Sequence, residues 1–166
     1  MNAVTHDEPI KTLPALLSIL QTFDRPLASD ELNDLVARIE LPRSAWEDDV
    51  RFQPDEFCFH TLYDSPHFEL NLIGWRCGQV SCAHDHRGSA CCVRVLAGVL
   101  TNRDYQLSPA GQLLETGRRD LHPGELLARQ DHGIHRCGNE QADGRDLVTL
   151  HLYSPPLRPR EERRYD

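Results

Sequence analysis

The chain has 166 residues, a size that forms one core and buries most of the apolar surface the unfolded chain exposes. Hydrophobic residues make up 39 % and charged residues 27 %, which excludes a largely disordered chain, and a formal net charge of −8 argues against a nucleic-acid partner. No apolar run reaches the roughly 20 residues of a membrane-spanning helix, and the start MNAVTHDEPIK lacks the pattern of a secretion signal, so one domain over residues 1–166, in the cytoplasm and without a membrane partner, is expected.

In chain order, the first fifty residues read as helices. Thr12 or a neighbour is expected to cap a helix with Pro14 near its first turn, and Leu16, Leu17, Ile19 and Leu20 form its apolar face. After the turn at Arg25 and Pro26, Ser29 is the expected N-cap of a second helix carrying Leu32, Leu35, Val36 and Ile39. Ser44 with Glu47 reads as a capping box opening a short third helix that contains Trp46.

From about Phe57 the texture changes to short apolar or alternating runs separated by Gly, Pro, Asp and Ser. These runs cover 57–63, 68–75, 91–107, 125–129 and 146–153, a spacing that predicts a mainly β barrel or sandwich with the helices as a cap. The tail over 158–166 mixes Arg158, Arg160, Arg163 and Arg164 with Glu161 and Glu162, and is expected to be a solvated polar segment.

Six cysteines include the adjacent pair Cys91 and Cys92 and form no pair of CxxC knuckles, so they read as thiols rather than disulfides or a zinc finger. His84 and His86 are two residues apart, which on a strand turns both imidazoles to one face. An HxH pair alone is more often two ordinary histidines than a metal site. Its surroundings change the weighting: Gly78 precedes and Gly98 closes this block, and a second block holds Gly117, Pro123, His135 and Asn139.

These paired blocks resemble those of the cupin superfamily, departing from them at Gly124 and at Gly133. The resemblance implies a cupin double-stranded β-helix, a small β-barrel, with N-terminal α-helices and a metal held by His84, His86 and His135. Cys91 stands where the usual first block has a glutamate ligand. Zinc or nickel would also accept three histidines, so the ligands alone do not choose the metal.

HDH at 84–86, Cys91, IHR at 134–136 and LHLYSPPL at 150–157 together resemble the cysteine dioxygenase family of thiol dioxygenases. That resemblance implies one Fe(II) per chain and addition of both atoms of O2 to a small thiol to give a sulfinate. It implies that Tyr153 faces the metal, that His151 bonds to it, and that Cys91 can form a thioether with Tyr153. Strand alternation independently places Thr149, His151 and Tyr153 on one face.

The family's Tyr-x-Arg unit, whose arginine clamps the substrate carboxylate, aligns with Phe57, Cys58 and Phe59, so Phe57 and Phe59 are expected at the substrate and Phe59 has replaced the clamp. Arg76, Arg87 and Arg136 are the candidates to take over its task. A thiol without a carboxylate, such as cysteamine, would need no clamp at all, and oxidative decarboxylation of cysteine to a sulfonamide would gain from its absence. The rival classes are a non-catalytic metal- or ligand-binding cupin and a zinc or nickel cupin with lyase or isomerase chemistry. The oligomeric state is left open.

Overall fold

A computed structural model describes residues 8–129, 133–157 and 163–165. Helix α1 spans Leu13–Leu20, with the Ala15 amide donating to Thr12 Oγ1 at 3.2 Å and Leu16 and Leu20 buried. Helix α2 spans Ser29–Ala37 and buries Leu32, Leu35 and Val36. Ser29 is its first helical residue rather than its cap: Ala28 occupies the cap, and the Glu31 carboxylate accepts the Ala28 amide at 3.0 Å. The acid three residues after the cap thus satisfies the cap residue's own amide.

The expected capping box at Ser44 does not form. A 3-10 turn over Arg43–Ala45 follows Pro42, and Glu47 binds the Arg43 guanidinium at 2.9 Å, so the carboxylate never reaches back to a cap amide. Trp46 lies just beyond the turn and is buried.

The strands are β1 (Cys58–Asp64), β2 (Glu69–Trp75), β3 (His84–Asp85), β4 (Ala90–Ala97), β5 (Leu100–Leu107), β6 (Leu113–Leu121), β7 (Leu126–Arg129), β8 (Ile134–Gly138), β9 (Leu147–Ser154) and β10 (Arg163–Arg164). They form two sheets, in the order β1-β2-β9-β4-β7 and β10-β3-β8-β5-β6. The run at 91–107 is thus two strands. Gly98 breaks it with φ +77°, where a Cβ would stand 2.5 Å from the Asp146 carbonyl oxygen.

The first sheet is covered on both faces. Leu70, Leu72, Cys92, Val148, Leu150 and Leu152 pack on one side with Leu16, Leu20, Leu32 and Val36 of the helices. On the other side Ile73, Trp75, Cys91, Val93, Leu147 and Tyr153 belong to a second core inside the barrel, shared with Leu100, Leu121 and Cys137 of the facing sheet. This is why every residue of β9 is buried. Of the expected polar tail, Arg163 and Arg164 form a short strand paired with β3, opposite Asp85 and His84, with Arg164 exposed, while Arg158, Arg160, Glu161 and Glu162 lie outside the described residues. Among the described residues no helix is long and apolar enough to cross a membrane.

Candidate metal centre

Two short pieces of backbone build the centre. Antiparallel pairing of β3 with β8 sets His84 directly opposite His135, and His86 follows just after β3 on the same side of the chain as His84. The three rings are buried, with centroids 4.5 Å apart for His84 and His135, 5.0 Å for His86 and His135, and 5.3 Å for His84 and His86. One nitrogen from each lies within 4.8 Å of the others.

The outer nitrogens decide which atoms face inward. His84 Nδ1 lies 2.9 Å from the Cys82 carbonyl oxygen and His135 Nδ1 2.9 Å from Asn102 Oδ1. Each acceptor calls for a proton on Nδ1 and leaves Nε2 as a lone pair. Burial pushes the His86 imidazolium down to about 3, helped by the charges of His84 and Arg129, and burial likewise lowers His135 well below its ordinary range. His135 Nε2 and His86 Nε2 are 3.2 Å apart, so the two rings point at one another within hydrogen-bond distance. Converging neutral imidazole lone pairs suit a divalent cation of borderline softness, and three of them leave coordination positions open.

A second polar chain ends beside this cluster. Trp75 Nε1 donates to Thr149 Oγ1 at 2.9 Å, and Thr149 Oγ1 is 2.9 Å from His151 Nε2. The Thr149 hydroxyl, which accepts from the indole, thus bonds to Nε2 of the ring and leaves Nδ1 on the side of Tyr153. Burial lowers His151 to about 3, so the ring stays neutral. His151 Nδ1 then points at the Tyr153 hydroxyl, 3.5 Å away, and the Tyr153 ring meets His86 edge-on at 5.5 Å between centroids.

Cys91 pairs directly with Tyr153 in the β4–β9 register, and both line the same cavity. Burial pushes that thiol well above the usual range, so it stays protonated and stands outside the cluster of three nitrogen donors.

These groups share one cavity of about 210 Å³. Phe57 and Phe59 line it as expected, with Phe57 stacked on Trp75 at 4.2 Å and tilted against Phe59 at 5.2 Å. The three expected arginines do not line it. Arg76 pairs with Asp146 at 2.7 Å and covers the Phe52 ring, because β2 has ended before it. Arg87 is exposed at a positive φ of 49° in the turn after His86. Arg136 alternates with His135 and Cys137, both of which line the cavity, and so faces the opposite side of β8.

Sequence reasoning missed Arg164, which lines the cavity from β10, and Asn102, which orients His135. Asn102 gave little signal, because it sits in the polar stretch TNRD over 101–104. Arg164 gave none, since its position depends on a strand pairing across the whole chain.

The model of the family "Cysteine dioxygenase type I" matches residues 2–166. Cysteine dioxygenase type 1 of Rattus norvegicus is 28 % identical over 162 residues, covering 89 % of this chain and 76 % of the rat protein. Among solved structures, a protein of Thermus thermophilus superposes with a TM-score of 0.55 at 20 % identity, covering 66 % of this chain and 92 % of its own. A Klebsiella pneumoniae protein with a double-stranded β-helix domain superposes with a TM-score of 0.54 at 13 % identity, covering 72 % and 93 %. The architecture is therefore that of the cupin double-stranded β-helix.

Proposed function

Because the chain belongs to the cysteine dioxygenase type I family, we propose that it is an oxidoreductase that holds one Fe(II) on His84, His86 and His135 and uses O2 to oxidise the sulfur of a small thiol to a sulfinate. The observation that carries this reading is that three inward-facing imidazoles and an oriented tyrosine open onto one small cavity. A barrel that merely stores a ligand has no use for a directed chain from Trp75 through Thr149 and His151 to Tyr153.

Bound iron, held by His84, His86 and His135, would supply the redox chemistry between the thiol and O2. The chain's own residues do the rest. Cys82 O and Asn102 fix the rings of His84 and His135 so that Nε2 faces inward. Neutral His151 turns Nδ1 toward the Tyr153 phenol, 3.5 Å away, and holds the phenol where it can hydrogen-bond to the reactants. Phe57, Ile73, Trp75 and Val93 line the cavity with apolar surface and keep bulk water from the reacting groups. Cys91, a protonated thiol against Tyr153, is placed to form the thioether rather than to bind metal.

The test is thiol-dependent O2 consumption by Fe(II)-loaded protein, with mass spectrometry of the product, across cysteine, cysteamine and mercaptocarboxylates. A sulfinate product is expected. No uptake with any of these thiols would refute the reading and favour a non-catalytic or zinc cupin.

A further inference from the structure

The cavity has a cationic residue that comes from outside the barrel. Strand β10 pairs antiparallel with β3, with Arg164 opposite His84 and Arg163 opposite Asp85. Residues directly opposite each other in such a pair share a face. His84 turns toward the cavity, so Arg164 does also, and it is among the residues that line the cavity. The next residue holds this strand in place: the Tyr165 amide donates to the Ala83 carbonyl at 3.0 Å, and the Tyr165 hydroxyl donates to Asp85 Oδ2 at 2.6 Å on the outer face.

The surroundings leave the Arg164 charge available. Among the described residues none pairs with its guanidinium, whereas Arg76, Arg103 and Arg129 are each committed to a carboxylate. The cavity's other lining residues include the three candidate metal ligands, His151 engaged with Thr149, and a single acid, Glu56. Arg164 is thus the one arginine or lysine among the described residues that line this cavity. Phe59, on the wall formed by β1, offers only an apolar ring packed on Phe57. An anionic end of a substrate entering this cavity has one cation, apart from a bound metal, to meet it.

We propose that Arg164 is the carboxylate-binding residue of this site, carried in on the C-terminal strand β10 instead of on a barrel strand, and that the substrate is accordingly a thiol bearing a carboxylate. This rests on the thiol-oxygenase reading. A guanidinium fork binds both oxygens of a carboxylate, and one that is open to water does so with moderate strength. Glu56, whose carboxylate suits an ammonium group, lines the same cavity, which favours an amino-acid thiol over a simple mercaptocarboxylate.

Cysteine and cysteamine differ only by the carboxylate, so the pair isolates the contact. The Fe(II)-loaded protein is titrated with each under nitrogen, following the fluorescence of Trp75, which lines the cavity. Arg164→Ala is expected to raise the Kd for cysteine about tenfold while changing that for cysteamine by less than about twofold, and Arg164→Lys, which keeps the charge and loses the fork, should fall between. Thermal melts of the three proteins show whether the fold is intact, and Arg164→Lys remains informative if the alanine variant is unstable. A cysteine Kd unchanged in folded Arg164→Ala, or equal losses for both thiols, would overturn the proposal. Because binding is read without O2, loss of cysteine selectivity in a protein that turns over no thiol would uphold Arg164 while refuting the oxygenase reading. Normal turnover with an indifferent Arg164 would do the reverse.

Discussion

Asn102 is the sharpest place to test how the metal centre is held. Its side chain is 1 % exposed, and its Oδ1 lies 2.9 Å from His135 Nδ1. Asn102→Leu keeps the branched shape and the number of heavy atoms, but the Nδ1–H of His135 is left buried without an acceptor. An orphaned buried donor costs about 1–3 kcal/mol, and relief comes by turning the ring or moving the proton to Nε2. Either route removes the inward lone pair. Metal affinity should therefore fall about 10- to 100-fold, or about 1.4–2.7 kcal/mol, in line with losses seen when the partners of metal-bound histidines are removed. The assay is competition for Fe(II) against a chromophoric chelator under nitrogen. Asn102→Asp, which keeps an acceptor oxygen at the same place, should bind within a few-fold of the parent. A folded Asn102→Leu protein with parental affinity would show that His135 is oriented by something other than this bond.

Metal-free protein should lose stability as pH falls below about 6.5. His86 and His151 are held down to about 3 in the folded state, whereas in the unfolded chain they titrate near 6.5, so the unfolded state binds more protons below that value. Stability is then complete above pH 6.5 and declines by about 1.4 kcal/mol per pH unit for each such histidine; equal urea midpoints at pH 7 and pH 5 would contradict this. Prolonged turnover with O2 and thiol should join Cys91 to Tyr153, which face each other across β4 and β9, and remove two hydrogens from the intact mass. Cys91→Ser and Tyr153→Phe should keep their masses, and an unchanged parental mass after many turnovers would reject the thioether.

Much of the centre was legible because it is local. HDH at 84–86 needs only strand geometry to converge, and Thr149, His151 and Tyr153 need only the alternation of β9. Long-range pairing was legible only through resemblance, as with His135. The Thr12 cap is as expected, whereas those expected at Ser29 and Ser44 are not, since Ala28 with Glu31 caps α2 one residue earlier and Glu47 pairs with Arg43 instead. Strand β6 leaves little trace in the sequence because most of its residues, Glu115 and Arg118 to Asp120 among them, are exposed, and β8 leaves little because it is five residues long. Nearness in sequence to the metal motifs singles out Arg76, Arg87 and Arg136, none of which lines the cavity. Distance along the chain is a poor guide to a cavity wall in a fold whose sheets are built from non-consecutive strands.

Strand β9 carries two unrelated tasks on alternate residues. Val148, Leu150 and Leu152 face the helices, while Leu147, Thr149, His151 and Tyr153 face the barrel. A slip of one residue against β2 and β4 would exchange the two sets, placing His151 and Thr149 under α1 and α2 and filling the cavity with leucine. Such a slip would strand polar groups in the helix interface and forfeit its apolar contacts, so the docking of two short helices on the far side of the sheet excludes the miswired arrangement. The N-terminal cap touches no reacting atom, yet it enforces which side chains the reacting atoms meet.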